Sequence, residues 1–285
     1  MRKAKAKRDS KPDIRNWAII SDCHAGDQLG LCPPGGIRLD EGGTYLPSIV
    51  QQKIYAYWRE FWDEWVPRVT KGEPYGIICN GDAMDGIHHG ATHQISHNLQ
   101  DQENIAYELL APEVERAEGR LYMIRGTEAH VGKSGVQEES LACRLGAIPN
   151  ELGQRARYEL WKMVGSGLVH VLHHIGVTGS QAYEATAVHK ELVEAFTESG
   201  RWNNRPPDIV VRSHRHRLIH THVPTSRGEA ISVVTPGWQA KTPFAWKVAG
   251  ARQSVPQFGG ILIRCGDEDL FVRTFVRDIA RPPVE

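Results

Sequence analysis

The chain has 285 residues, 40% of them apolar and 24% charged, which is the balance of an ordinary globular protein with ample length to bury a core. Its 34 basic residues match 34 acidic ones, so no global field argues for nucleic acid. No run approaches the roughly 20 apolar residues that a membrane span needs. No apolar stretch follows the basic start, so no signal peptide is expected. The five cysteines (Cys23, Cys32, Cys79, Cys143 and Cys265) are odd in number and include no C-x-x-C, which excludes a disulfide framework and a cysteine-based zinc site and fits a reducing cytoplasm.

Residues 1–13 carry Arg2, Lys3, Lys5, Lys7, Arg8 and Lys11 without apolar spacing. They read as a flexible tail, or alternatively as an arm that touches phosphate backbones. Residues 14–285 then read as a single domain. Trp17–Ile20 is the first expected strand. A Gly/Pro-rich loop insertion covers 25–46, and a helix is expected from about Pro47 to Trp65, ended by Pro67. Ile54, Trp58, Phe61, Trp62 and Trp65 recur on one face of that helix and read as core. The next strand is Tyr75–Cys79. A second loop insertion, 83–100, holds His88, His89, His93 and His97. Gln102–Glu118 reads helical with a break near Pro112, and Leu121–Ile124 is a third strand. A short helix is expected at Val136–Leu145, strands at Tyr158–Val164 and Leu168–His173, and a helix at Ala185–Ser199. Asp208–Val211, Leu218–Val223, Ala230–Val234, Gly260–Cys265 and Leu270–Val276 complete the strands. Strands that alternate with helices and later dominate predict an α/β sandwich with a mixed second sheet packed on the first.

The chemistry sits where the apolar runs stop. Asp22 and His24 follow Ile19–Ile20, Asp82 follows Asn80–Gly81, and His173 and His174 follow Val171–Leu172. His214 and His216 follow Val210–Val211, and Gly126-Thr127-Glu128-Ala129-His130 follows Ile124. Open sheets place their sites at that end of their strands, and carboxylates with imidazoles suit borderline divalent metals. Spacing of two on an extended strand end would project Asp22 and His24, and likewise His214 and His216, to one side. His170 alternates away from His173 and reads as packing or surface. Cys23 and Cys79 read as buried packing residues.

This order of motifs, D-x-H, G-D-x-x-D, a glycine then a histidine, a strand-end histidine and H-x-H, resembles the calcineurin-like metallophosphoesterases from about residue 17 to 240. Thr235-Pro236-Gly237-Trp238 is similar to that family's N-P-G-S turn. The two long loops resemble its bacteriophage and prophage branch. The resemblance implies a four-layer α/β/β/α sandwich and two divalent metal ions, manganese foremost, with iron, zinc, nickel and cobalt also admitted. It implies that Asp22, His24 and His216 bind one ion, that His173 and His214 bind the other, and that Asp82 bridges them. His174 is the alternative to His173, or a substrate contact. The family's third motif, G-N-H-D or G-N-H-E, is replaced here. Either Thr127 takes the asparagine slot, or Glu128 supplies the metal oxygen and His130 the catalytic imidazole. The second reading is preferred, because a carboxylate is a better ligand for a divalent cation than a neutral hydroxyl. Asp85 either orients a ligand histidine or caps a turn. His88, His89 and Arg215 are candidate phosphate contacts or surface residues.

The implied activity is a dinuclear metal-dependent phosphoesterase that hydrolyses phosphate esters, foremost diesters, by metal-bound hydroxide, in the cytoplasm of a bacterium or a phage-infected host. The alternatives are a phage-type DNA nuclease, with nucleic acid as partner, a non-catalytic metal-binding scaffold on the same fold, and a carboxylic-ester hydrolase. No G-x-S-x-G elbow supports a serine esterase.

Overall fold

The structure, a computed structural model, describes residues 14–279 apart from His89, Lys133, 177–180, 248–253 and 267–269. The basic tail of residues 1–13 lies outside the described residues. In chain order the strands are β1 (Asn16–Ile20), β2 (Ile37–Arg38), β3 (Thr44–Tyr45), β4 (Tyr75–Asn80), β5 (Leu121–Ile124), β6 (Ala156–Arg157) and β7 (Glu159–Val164). They continue with β8 (Gly167–Leu172), β9 (Ile209–Arg212), β10 (Ile219–Thr225), β11 (Gly228–Val234), β12 (Gln257–Cys265) and β13 (Leu270–Asp278). The helices are α1 (Ile49–Glu60), α2 (Val66–Thr70), α3 (Leu99–Arg116), α4 (Glu128–Val131), α5 (Val136–Arg144) and α6 (Glu184–Arg201).

Two mixed sheets form the centre. One has the order β13-β12-β1-β4-β5-β6 and the other β10-β11-β9-β8-β7. Strands β1, β4 and β5 run parallel in the first sheet, and β8, β9 and β11 in the second. The period-two alternation of apolar residues builds the layers. Trp17, Ile19, Ile78, Ile261 and Ile263 of the first sheet pack with Leu160, Val169, Val171, Val211 and Val233 of the second. Ala18, Ile20, Ile77, Leu121 and Met123 point the other way, onto the helices that include Ile54, Trp58, Ile105 and Leu141. On the far side Val210 and Ala230 meet Leu192 of α6, and Val234 meets Val188. The order of layers is therefore helix, sheet, sheet, helix, with the central strands β1, β4 and β9 buried on both faces as parallel strands require. None of the described helices is long and apolar enough to cross a membrane.

The helix expected to stop at Pro67 continues to Thr70. A wide π-turn, Phe61–Trp65, lies just before Pro67 and gives its ring and missing N–H room in the ladder. Its start is fixed one residue after Pro47, by a capping box in which Ser48 accepts from Gln51 N and Gln51 reaches back to Ser48 N. Pro112 also sits inside an unbroken helix, because Leu109, Leu110 and Val114 around it are buried against the first sheet. Burial of that face offsets the local cost of the proline. The loop 25–46 contains the small β2–β3 ribbon. The predicted aromatic stripe is fully engaged: Trp58 packs edge-on against Trp62 and Trp238, with centroids 5.5 and 5.0 Å apart. Trp58→Ala should destabilise the fold by about 3–5 kcal/mol, measured as a lower denaturant midpoint with unchanged slope.

Candidate metal centre

The carboxyl ends of the parallel strands of both sheets meet at one edge of the sandwich. Backbone hydrogen bonds lock the loops there: Asp22 N to Gly81 O at 3.0 Å, His24 N to Asp82 O at 3.1 Å, Trp238 N to Asp22 O at 2.9 Å and Ser213 N to His173 O at 2.9 Å. A buried polar chain joins the sheets beneath. Ser21 Oγ lies 2.7 Å from Thr235 Oγ1, which lies 2.7 Å from Ser213 Oγ. Ser213 Oγ in turn accepts from Asn80 Nδ2 at 2.6 Å, and the same amide reaches Leu172 O at 3.2 Å.

The spacing-of-two argument fails in its stated form, because Asp22, His24, His214 and His216 all lie beyond the last extended residue of their strands. Left-handed backbone turns their side chains together instead. Among the described residues, eight non-glycine residues have positive φ, and five of them are Asp22 (53°), His24 (45°), Asp82 (50°), His214 (71°) and His216 (51°). Such conformations cost about 1–3 kcal/mol each and collect at functional sites. Gly81 and Gly126 allow the final approach. A Cβ on Gly81 would lie 2.4 Å from His173 Nδ1, and one on Gly126 would overlap Asp82 Oδ1.

The result is a continuous group of donors. His173 Nε2 lies 3.0 Å from Asp82 Oδ2 and 3.9 Å from Asp22 Oδ1. His214 Nδ1 lies 3.9 Å from Asp82 Oδ2, and His216 Nε2 lies 3.2 Å from Asp22 Oδ1 and 3.1 Å from His24 Nε2. Asp22, Asp82, His173 and His214 can offer atoms within 4.8 Å of one another, as can Asp22, His24 and His216, and His24, Asp82 and His130. Asp22 is thus as central as Asp82. The donor set fits divalent ions on two further grounds. Asp22 Oδ1 and His173 Nε2 are buried and face the group without a well-directed hydrogen bond, although His216 Nε2 and Asp82 Oδ2 stand 3.2 and 3.0 Å from them. The far nitrogens of two rings are held from behind, His24 Nδ1 by Asp85 Oδ1 at 3.1 Å and His173 Nδ1 by Asn80 O at 2.6 Å, which leaves Nε2 of each for the centre.

Asp85 orients rather than caps. Besides His24 it takes Gln94 Nε2 at 2.8 Å and His88 Nε2 at 3.3 Å, and Gln239 links it to Asp27. Burial pulls the imidazoles of His24 and His173 down, but Asp85 acting on His24, and Asp82 and Asp22 acting on His173, outweigh it. They stand at about 9 and about 10. Burial pushes Asp22 and Asp82 up, and the histidines beside them outweigh it and hold both well below the usual carboxylate range. His130 is moved the other way, to about 4, by burial and the charge of His24.

Not every expected residue arrives. Glu128 is exposed on the first turn of α4 and belongs to none of the donor groups. The preferred assignment of Glu128 as the metal oxygen is therefore corrected. Thr127 N-caps α4 and turns to the site, its N–H donating to Asp82 Oδ1 at 2.8 Å with Oγ1 3.3 Å away. The two-residue displacement does bring His130 in, its Nδ1 2.5 Å from Asp85 O and its ring 4.5 Å from that of His24. His174 is exposed beside His173, with ring centroids 5.4 Å apart. His88 packs edge-on to His130 at 4.4 Å. His89 lies outside the described residues. Arg215 lines the cleft while its guanidinium holds the carbonyls of Gly176 and Glu184. His170 faces away and stacks on Trp161 at 4.1 Å. Cys23 and Cys79 are buried, with thiols pushed well up by burial and so unfit as nucleophiles.

Sequence reading passed over Glu138. It is fully buried on α5, accepts Gly126 N at 2.7 Å and Ala83 N at 3.2 Å, and so joins the loops that carry Asp82 and Thr127. Burial and the charge of Asp82 push its carboxyl up to about 7. A glutamate on the buried side of a short helix was the available signal.

No protein-family model and no curated protein matches the chain. Among solved structures, it is similar to a conserved protein of Streptococcus pneumoniae TIGR4 described as a predicted phosphoesterase (9% identity, 94% of this chain and 98% of that one, TM-score 0.37). It is also similar to Vacuolar Protein Sorting 29 from Cryptosporidium parvum (11% identity, 93% and 98%, TM-score 0.34). A third is sulfate thiohydrolase SoxB from Thermus thermophilus (14% identity, 94% and 57%, TM-score 0.39).

Two outcomes follow from this geometry. Protein stripped by a chelator holds protons on His24 and His173 up to about 9 and 10, and a ligand imidazole must give its proton up. Mn²⁺ affinity should therefore rise with pH between about 6 and 9, up to tenfold per pH unit for each proton displaced. Titration calorimetry in two buffers of different ionisation enthalpy should show proton release, and identical heats would refute it. Glu138→Ala should weaken Mn²⁺ binding about 10–100-fold, read by the same titration, and lower the unfolding midpoint because two buried N–H groups lose their acceptor.

Proposed function

We propose that the chain is a calcineurin-like metallophosphoesterase that hydrolyses phosphodiesters with two divalent ions. One observation carries the reading: Asp22, His24, Asp82, His214 and His216 are all held in left-handed backbone and, with His173, aim oxygen and nitrogen donors at one small volume. A structural network would have no use for that strain. Asp22, His24 and His216 would hold one ion and Asp82, His173 and His214 the other. Such ions supply positive charge against the phosphoryl oxygens and acidify water.

The protein's own groups do the rest. Strain and backbone ties fix the donors before substrate arrives, so no reorganisation is needed during reaction. His130 is neutral at physiological pH and donates Nδ1–H to Asp85 O, which leaves Nε2 as acceptor. Hydroxide forms the new P–O bond, and Nε2 of His130 takes the proton of the resulting P–OH and passes it to the departing alkoxide as the old P–O bond breaks. Charge supports the diester. With Glu128 outside, Asp22 and Asp82 return two of the four positive charges that two divalent ions bring. One hydroxide nucleophile and one monoanionic diester balance the remainder, whereas a dianionic monoester leaves the site net negative.

The long loops 25–46 and 83–98 support the bacteriophage and prophage branch of that family. A scaffold that had lost its activity would be expected to have lost donors, and the donor set is complete apart from the replaced third motif. Asp82→Asn should reduce hydrolysis of bis-p-nitrophenyl phosphate by at least on the order of 10²–10³ while circular dichroism stays unchanged. The assay is run against p-nitrophenyl phosphate with Mn²⁺, Fe²⁺, Zn²⁺, Ni²⁺ and Co²⁺. Unaltered turnover in the variant removes the central role of Asp82, and faster turnover of the monoester removes the diester preference.

A further inference from the structure

Asp27 belongs to none of the strand-end motifs, yet it is fully buried behind them. It stands on the 25–46 loop, and its N–H donates to His24 O at 3.1 Å. A buried carboxylate is costly unless donors fill its lone pairs. Here Oδ1 accepts Leu29 N at 2.8 Å and lies 3.0 Å from His93 Nδ1, while Oδ2 accepts Gln239 Nε2. Its carbonyl accepts Gln51 Nε2 at 3.0 Å. One side chain thus gathers its own loop, the loop that carries Asp85 and the segment that follows β11.

Gln239 is the link to the donor group. It is buried, and its single amide nitrogen serves two carboxylates, Asp27 Oδ2 and, at 3.4 Å, Asp85 Oδ1. Its backbone cannot drift, because Trp238 N donates to Asp22 O at 2.9 Å and Ala240 N to Leu29 O at 2.8 Å. A primary amide carries two N–H groups on one side and a carbonyl on the other. Asp27, which only accepts, therefore decides which side faces Asp85. The remaining contacts of Asp85 are His24 Nδ1 at 3.1 Å, Gln94 Nε2 at 2.8 Å and His88 Nε2 at 3.3 Å. With the Gln239 amide turned as it is, both oxygens of Asp85 meet donors, and its Oδ1 stays on the ring of His24.

We infer that Asp27 is a positioning residue of the metal centre: its carboxylate orients the Gln239 amide, and that amide, through Asp85, fixes the ring of His24. The inference rests on the two-metal reading. An asparagine at position 27 would set an NH₂ group against the NH₂ of Gln239. Gln239 would then turn its carbonyl towards position 27, and with it towards Asp85. An oxygen facing a buried carboxylate is repulsive, so Asp85 would shift and His24 would lose its support. His173 leans on Asn80 O instead and would keep its own.

The test is calorimetric titration of Mn²⁺ into the chelator-stripped full chain. Asp27→Asn should weaken one of the two ions about 10–100-fold and leave the other unchanged. Gln239→Leu should give the same loss, and Asp27→Asn added to it should cost no further affinity, because the link is already gone. A residue that merely staples loops would move both ions or neither, and its effect would add to that of Gln239→Leu. Unchanged affinities in Asp27→Asn, equal weakening of both ions, or additive losses in the double variant overturn the inference. If Asp27→Asn does not fold, Gln239→Leu decides, and full affinity for both ions in that variant overturns it. Wild type that holds fewer than two ions removes the two-metal reading instead, so the two failures are distinguishable.

Discussion

The site depends on a short buried chain of hydroxyls and one amide. Ser21, Thr235, Ser213 and Asn80 are each fully buried, and their contacts of 2.6–2.7 Å run from the end of β1 to the ends of β11, β9 and β4, with Leu172 O of β8 taking the last donor. Sheets packed face to face are fixed across their apolar layer by shape alone, which tolerates sliding. A polar chain does not slide without leaving a buried donor unpaired, at about 1–3 kcal/mol each. This clamp sets the distance between the carboxyl edges of the two sheets, and with it whether Asp22 and Asp82 of one sheet can face His173, His214 and His216 of the other.

That constraint explains how the strain is borne. Five residues in left-handed backbone, two of them buried aspartates side by side, would relax if their loops were independent. Here Asp22 is held by Gly81 O from one side and by Trp238 N from another, and Asp82 Oδ1 is held by Thr127 N. Glu138 fastens the Asp82 loop to the β5 loop from behind. Mutual repulsion of the carboxylates is met by His216 and His173 beside Asp22 and by His173 and His214 beside Asp82, which hold both carboxyls below the usual carboxylate range despite burial. The order of causation is core, clamp, strained loops, donor group.

Sequence periodicity located the longer strands and helices within a few residues, and passed over the short β2, β3, β6 and α4, because apolar alternation and the aromatic stripe of α1 report burial directly. It misjudged Pro67 and Pro112, where packing of neighbouring side chains outweighed a local backbone penalty. The donors were legible as residue types at strand ends. Their convergence was not, since it comes from positive φ that aspartate and histidine adopt only when long-range contacts impose it. Glu128 illustrates the limit: ligand chemistry favoured the carboxylate over Thr127, but α4 starts at Glu128 and turns it outward, a fact of helix capping rather than of ligand preference. For Glu138 the sequence offered only a glutamate on the buried side of a short helix, since its partners are backbone amides, which carry no mark in the sequence.

The two halves of the donor group are supported unequally. His24 leans on a carboxylate, Asp85, which itself takes Gln94 and His88. His173 leans on a peptide carbonyl, Asn80 O. A carboxylate behind an imidazole raises its basicity and its strength as a donor more than a carbonyl does. The position served by His24 and His216 therefore carries the more electron-rich imidazole, and its anchor Asp85 also presents the backbone oxygen that fixes His130. The ring of His130 and the better-supported half of the donor group share one residue, so a change at Asp85 reaches both His24 and His130, whereas a change at Asn80 reaches His173 and the clamp beneath it.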